Sequence, residues 1–183
     1  VSFGVWIKAG SVYENDTNNG ISHMIEHMMF NGTKVHSAKD IADTMTAIGG
    51  NMNAFTSKEC TCFYARTLDT HLDTAIELIG DMLFNSLIDD ESLEKEKKVV
   101  VEEIARYEDS PDDMVHEMLQ YNIWKNHPLG YIISGPKTNV KGFTRDDLRR
   151  YIGKHYTGEN IVISIAGNVN VKAVLNKLEK CFG

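Results

Sequence analysis

The sequence lacks the features that mark several common protein classes. Cysteine is sparse and odd in number, at Cys60, Cys62 and Cys181. Three cysteines give no disulfide framework, and their scarcity suits a reducing compartment. Cys60 and Cys62 alone make a poor zinc box and read as small apolar residues facing one way on a strand. No apolar run approaches the roughly 20 residues needed to span a bilayer, and no signal peptide is visible. Positive charge is outweighed: 19 Lys and Arg against 26 Asp and Glu leave a net charge of −7. That balance argues against a nucleic-acid or anionic-membrane partner. No Gly-rich turn follows a strand in the way a dinucleotide or P-loop site requires. Internal repeats, low-complexity segments and linkers are also missing. The 183 residues therefore fit one domain, 1–183, with a sizeable core. Its opening in mid-strand, without an initiator Met, reads as a trimmed N-terminus.

Periodicity supplies the elements. Val1–Ala9 alternates with period two and predicts a strand, followed by a polar loop to Gly20. Ile21–Phe30 predicts a short helix. A second, opened by the capping-box pattern Ser37–Asp40, runs to Ile48, and Gly49-Gly50 ends it. Strands over Asn51–Thr56 and Cys60–Arg66 are spaced for a hairpin. Helices follow over Thr70–Asn85 and Glu91–Tyr107, the latter behind Asp89-Asp90, and another from Pro111 to about Lys125. A loop of about a dozen residues starts at His127. A helix capped by Thr144 reaches His155, a strand covers Asn160–Ala166, and Asn170 caps a final helix. Strands interspersed with longer helices predict an α+β fold: an antiparallel or mixed sheet with helices packed on it.

The chemistry concentrates in His23-Met-Ile-Glu26-His27. On a helix, positions 23, 26 and 27 share one face. Two imidazoles one turn apart can bind a single metal ion, and the carboxylate between them can act on a water held there. Ile21, Met24, Ile25, Met28 and Met29 cover the remaining surface, so the helix reads as buried nearly all round. Ionisable groups in such an element are costly unless paired or metal-bound. The competing reading is a hydrogen-bonded histidine pair in the core.

Two histidines leave a tetrahedral zinc short of one protein ligand and an open position. In Glu91–Tyr107 the apolar stripe is Leu93, Val100, Ile104 and Tyr107, and Glu96 and Glu103 fall on or beside it. Glu102 falls on the opposite half with Glu91, Glu94, Lys95, Lys98 and Arg106. Two inward carboxylates on one helix repel each other unless a cation is near. A shared metal site resolves this, with one carboxylate ligating and the other orienting a ligand histidine. Helix geometry does not rank Glu96 and Glu103.

These residues resemble the pitrilysin-type metallopeptidases, or inverzincins, which include insulin-degrading enzyme, mitochondrial processing peptidase and related bacterial peptidases. The style is closest to bacterial relatives of the processing peptidase's catalytic subunit. The likeness runs through Gly20-Ile-Ser-His-Met-Ile-Glu-His-Met28, Phe30-Asn-Gly-Thr33, Ile48-Gly-Gly-Asn51, Asn53-Ala-Phe-Thr-Ser57, Glu96 to Glu103, His127-Pro-Leu-Gly130 and Ile165-Ala-Gly-Asn168. It implies a zinc metalloendopeptidase with Zn2+ held by His23, His27 and Glu103, Glu26 as general base, and Glu96 as the acidic residue that orients a histidine. It also implies that Asn53, Ala54 and Phe55 form an edge strand for an extended peptide substrate, as an open edge can. A second homologous domain or subunit is expected to close the site, so that this N-terminal part could be inactive alone. The expected compartment is the bacterial cytoplasm, with an organellar or secreted location left open by the trimmed N-terminus. Two other readings compete. A non-catalytic subunit of a processing complex generally lacks the metal motif, which is intact here. A zinc-stabilised interaction domain would gain little from Glu26.

Overall fold

A computed structural model describes all 183 residues. Its centre is a four-stranded antiparallel sheet built from β1 (Ser2–Ile7), β2 (Asn51–Thr56), β3 (Thr61–Arg66) and β4 (Ile161–Ala166), in the order β2-β3-β1-β4. Val5 lies opposite both Phe63 and Ile163, so the period-two apolar residues of three strands share one face. Phe3, Val5, Ile7, Phe63 and Ala65 are all but inaccessible on that side. On the other side Trp6, Phe55 and Val162 remain exposed. β2 is an edge strand, because its hydrogen-bonded partner is β3 alone.

The covered face packs against α1 (Ile21–Met29) and α3 (Leu72–Asn85). α1 contributes Met24, Ile25, Met28 and Met29 to the core, and α3 contributes Ile76, Ile79 and Met82. α2 (Ala38–Ala47) precedes β2, and α4 (Asp90–Glu108) lies across α1. α5 (Pro111–Ile123), α6 (Lys137–Gly142), α7 (Arg145–His155) and α8 (Val171–Phe182) complete the chain. The caps follow the sequence pattern. Ser37 with Asp40 and Thr144 with Asp147 form reciprocal capping boxes. Asp89 and Asn170 accept from Ser92 and Ala173.

Several sequence expectations need correction. The first strand is shorter than Val1–Ala9, and β3 starts at Thr61, which leaves Cys60 in the turn. There Ser57 Oγ donates to the Cys60 carbonyl at 2.9 Å, so Cys60 and Cys62 do not share a strand. The segment after His127 is not all loop. It holds a 3-10 turn at Pro128–Gly130 and α6, a helix whose single buried residue, Val140, gives no readable period. Tyr107 is 47% exposed and leaves the apolar stripe of α4. α1 is not buried all round either: His23, Glu26 and His27 are half-buried and face an open cavity. No helix is long and apolar enough to cross a membrane.

Candidate metal centre

α1 is where helix geometry and burial meet. Its apolar residues face the core, which turns His23 and His27 toward α4 and leaves Glu26 beside the end of β2. α4 crosses this polar face. Leu93, Val100 and Ile104 anchor α4 to the core, and the same rotation turns Glu96 and Glu103 toward α1. The two histidines and the two glutamates meet across 69 to 80 residues of chain. His23 Nε2 stands 3.8 Å from Glu103 Oε1, and His27 Nε2 stands 3.4 Å from Glu103 Oε2. One ligand atom from each of His23, His27 and Glu103 lies within 4.8 Å of the others. Ligand atoms about 2.0–2.1 Å from a tetrahedral zinc are roughly 3.3 Å apart, so a small inward adjustment suits that ion. The nitrogen and carboxylate donors also suit it.

Glu96 sits behind this group. Its Oε2 is 3.2 Å from His27 Nδ1, the ring nitrogen turned away from Glu103. The carboxylates that helix geometry left unranked thus occupy different places. Glu103 faces both Nε2 atoms, whereas Glu96 meets only the back of His27. Glu102 is exposed, on the rim of the cavity. His23 Nδ1 is buried with no protein partner.

The electrostatics favour positive charge between the carboxylates. Burial pushes His27 down, but contacts with Glu103 and Glu96 outweigh it and raise the ring to about 9. His23 is lowered to about 4, first by burial and then by the neighbouring His27. The His27 contact is the largest influence on both Glu96 and Glu103 and lowers each below the usual carboxylate range. Glu26 is raised by burial, and a hydrogen bond from Thr56 partly opposes the shift.

That bond identifies a residue the sequence reading missed. Thr56 Oγ1, at the end of β2, donates to Glu26 Oε2 at 2.6 Å. Period-two alternation places Met52, Ala54 and Thr56 on the inner side of the edge strand, so a signal for Thr56 was available. Glu14, which holds the start of α1, was also missed. It lies in a polar loop with no period to read.

Two cavities flank the centre. One of about 860 Å³ is bordered by His27, Glu96, Asn53 and Arg106. Another of about 670 Å³ is bordered by Ala54, Phe55, Thr56 and Tyr107. Both share His23, Glu26 and Glu103, so together they form a cleft along β2. Asn53 Oδ1 accepts from the Ala54 N–H at 2.9 Å, which turns that side chain onto its own strand.

The chain is similar to known proteins along its whole length. Residues 142–183 match a family model described as the peptidase M16 inactive domain. A Bacillus subtilis relative named as the uncharacterized zinc protease YmxG is 48% identical over the whole chain, which spans 44% of that relative. A probable mitochondrial-processing peptidase subunit beta of Arabidopsis thaliana is 38% identical over 98% of the chain and 34% of its own length. The chain thus spans less than half the length of these relatives. The crystal structure of a Helicobacter pylori protease superposes with a TM-score of 0.94 at 26% identity, covering 99% of this chain and 44% of that one. Pitrilysin shares the fold, with a TM-score of 0.86 at 21% identity over 99% of this chain and 20% of that one. Residues 1–137 match the model for insulinase, peptidase family M16, and the chain belongs to that family.

Proposed function

We propose that this chain is the metal-holding part of a zinc metalloendopeptidase that cleaves extended peptides. The observation that carries the reading is the meeting of His23, His27 and Glu103 with Glu26 in one cleft beside an open strand edge. His23, His27 and Glu103 would hold the zinc. When bound, the ion supplies Lewis acidity and lowers the pKa of a water toward roughly 7. Glu26 acts as general base and then returns the proton to the leaving amine. Burial raises its affinity for that proton, and Thr56 fixes its orientation. Glu96 holds His27 by Nδ1, which leaves Nε2 directed at Glu103. The backbone of Asn53, Ala54 and Phe55 pairs with the substrate as an added strand. For this the Asn53 side chain must release the Ala54 N–H.

A second homologous domain or subunit completes the site. The relatives are more than twice as long as this chain, and the family model matching 142–183 describes a further domain. Free cysteines and bacterial zinc-protease relatives support a bacterial cytoplasmic enzyme. The test is Glu26→Gln in the full-length protein. Zinc stays bound while peptide cleavage falls by about 10²- to 10⁴-fold, the range for loss of a positioned general base. Full activity in this variant would remove Glu26 from its role.

A further inference from the structure

The two histidines are supported differently. His27 has Glu96 at Nδ1, whereas His23 Nδ1 is buried without a protein partner. A metal-binding histidine usually has its second nitrogen bonded, and that bond sets the ring. His23 lacks that support, and the position of its backbone at the start of α1 sets where the ring can reach. His23 is the third residue of a nine-residue helix, so it lies in the first turn, where backbone N–H groups lack helical partners.

Two N–H groups at this end, those of Gly20 and Ser22, are met by a side chain from outside the helix. Gly20, at the N-cap, has no side chain to offer and adopts a φ of 99°. Glu14 replaces it. Its carboxylate accepts from Gly20 N–H at 2.8 Å, Ser22 N–H at 2.9 Å and Asn19 Nδ2 at 2.9 Å. Glu14 is 5% exposed and all three donors are neutral. A carboxylate buried this deeply is costly unless such bonds and the positive helix end stabilise it. Ser22, the residue before His23, is held a second time by Oγ, 2.9 Å from the Tyr151 hydroxyl. Asn19 Nδ2 also donates to the Ile132 carbonyl at 3.0 Å. The Gly20 backbone packs so closely on Ser134 that an added Cβ would stand 2.5 Å from its carbonyl oxygen. The start of α1 is therefore fixed to α7 and to the 132–135 loop, with Glu14 at the junction.

We propose that Glu14 is a positioning residue that sets the His23 ring for metal binding through the first turn of α1. The proposal rests on the zinc reading given above. The test uses full-length protein carrying Glu14→Ala, Glu14→Gln or, as control, Asn170→Ala. Zinc affinity is measured by chelator competition, and ligand geometry by the visible absorption of the cobalt(II)-substituted protein. Glu14→Ala weakens zinc by about 10- to 100-fold, as loss of an outer support typically does, and alters the cobalt bands. Glu14→Gln keeps the shape and one acceptor and recovers part of both. Asn170→Ala removes the cap of α8, which packs on α3 away from the metal residues and the start of α1, so it lowers Tm and leaves both readouts unchanged.

Wild-type zinc affinity and cobalt bands in Glu14→Ala, whatever its Tm, overturn the proposal and leave Glu14 a structural cap. If Glu14→Ala does not fold, Glu14→Gln decides: altered bands in a folded protein support the proposal, and unaltered bands overturn it. A wild-type protein that takes up no zinc sinks the zinc reading and this inference together. Loss of the inference alone leaves wild-type binding intact.

Discussion

Removing Glu96 isolates what one carboxylate behind a histidine contributes. Its Oε2 stands 3.2 Å from His27 Nδ1, at the long end of the hydrogen-bond range. Its side chain is 18% exposed, so solvent screens the contact only in part. A charge-assisted hydrogen bond is worth about 1.5–3 kcal/mol, and the long contact places this one near the lower bound. About 1.4 kcal/mol is tenfold in affinity. Glu96→Ala should therefore weaken zinc by roughly 10- to 30-fold, inside the range of about 10- to 100-fold for such supports. Glu96→Gln keeps a neutral acceptor and falls between wild type and Glu96→Ala. Chelator competition on full-length protein at fixed pH measures this, with circular dichroism to verify folding. A folded Glu96→Ala protein that binds zinc within twofold of wild type would refute the reasoning, because His27 would then need no carboxylate at its back.

Three further predictions follow from the same geometry. Glu103→Gln should largely abolish stoichiometric zinc on purification while Glu102→Gln keeps it; elemental analysis of the two proteins checks this, and equal zinc contents contradict the assignment. Thr56→Val preserves shape but removes the donor at Glu26 Oε2, so turnover should fall on the order of tenfold with zinc content unchanged. Steady-state kinetics at wild-type turnover would show that Glu26 needs no such hold. Asp81 accepts bonds from Thr33, His36 and Asn85. Burial pushes its pKa up, but these bonds outweigh it and leave it depressed. A depressed carboxylate stabilises the fold fully above its unfolded pKa of about 3.9 and loses that contribution as pH falls through the folded value. Asp81→Asn should therefore lower the urea midpoint at pH 7, with a gap from wild type that closes on acidification. A gap that grows in acid reverses the sign and defeats the argument.

The legible parts of the fold were those with a strong period or a local chemical signal. α1, α3 and α4 carry apolar residues at helical spacing, and the caps at Ser37, Asp89, Thr144 and Asn170 mark helix starts through bonds spanning three residues. α6 escaped because six residues around one buried valine give no repeat to read. Tyr107 escaped because a helical wheel assumes one burying face along the whole helix, whereas the C-terminal end of α4 opens onto the second cavity.

Which side chains share a face is readable from residue spacing alone: His23, Glu26 and His27 on one helix, and Glu96 and Glu103 two turns apart on another. Helical geometry is local and needs no partner to establish it. Tertiary structure decided which carboxylate faces both imidazoles, which stands behind His27, that Thr56 reaches Glu26, and that Glu14 secures the start of α1. These meetings depend on the crossing of α4 over α1 and on chain separations that no local period encodes. They are settled by how the apolar stripes of both helices pack against the sheet and against each other.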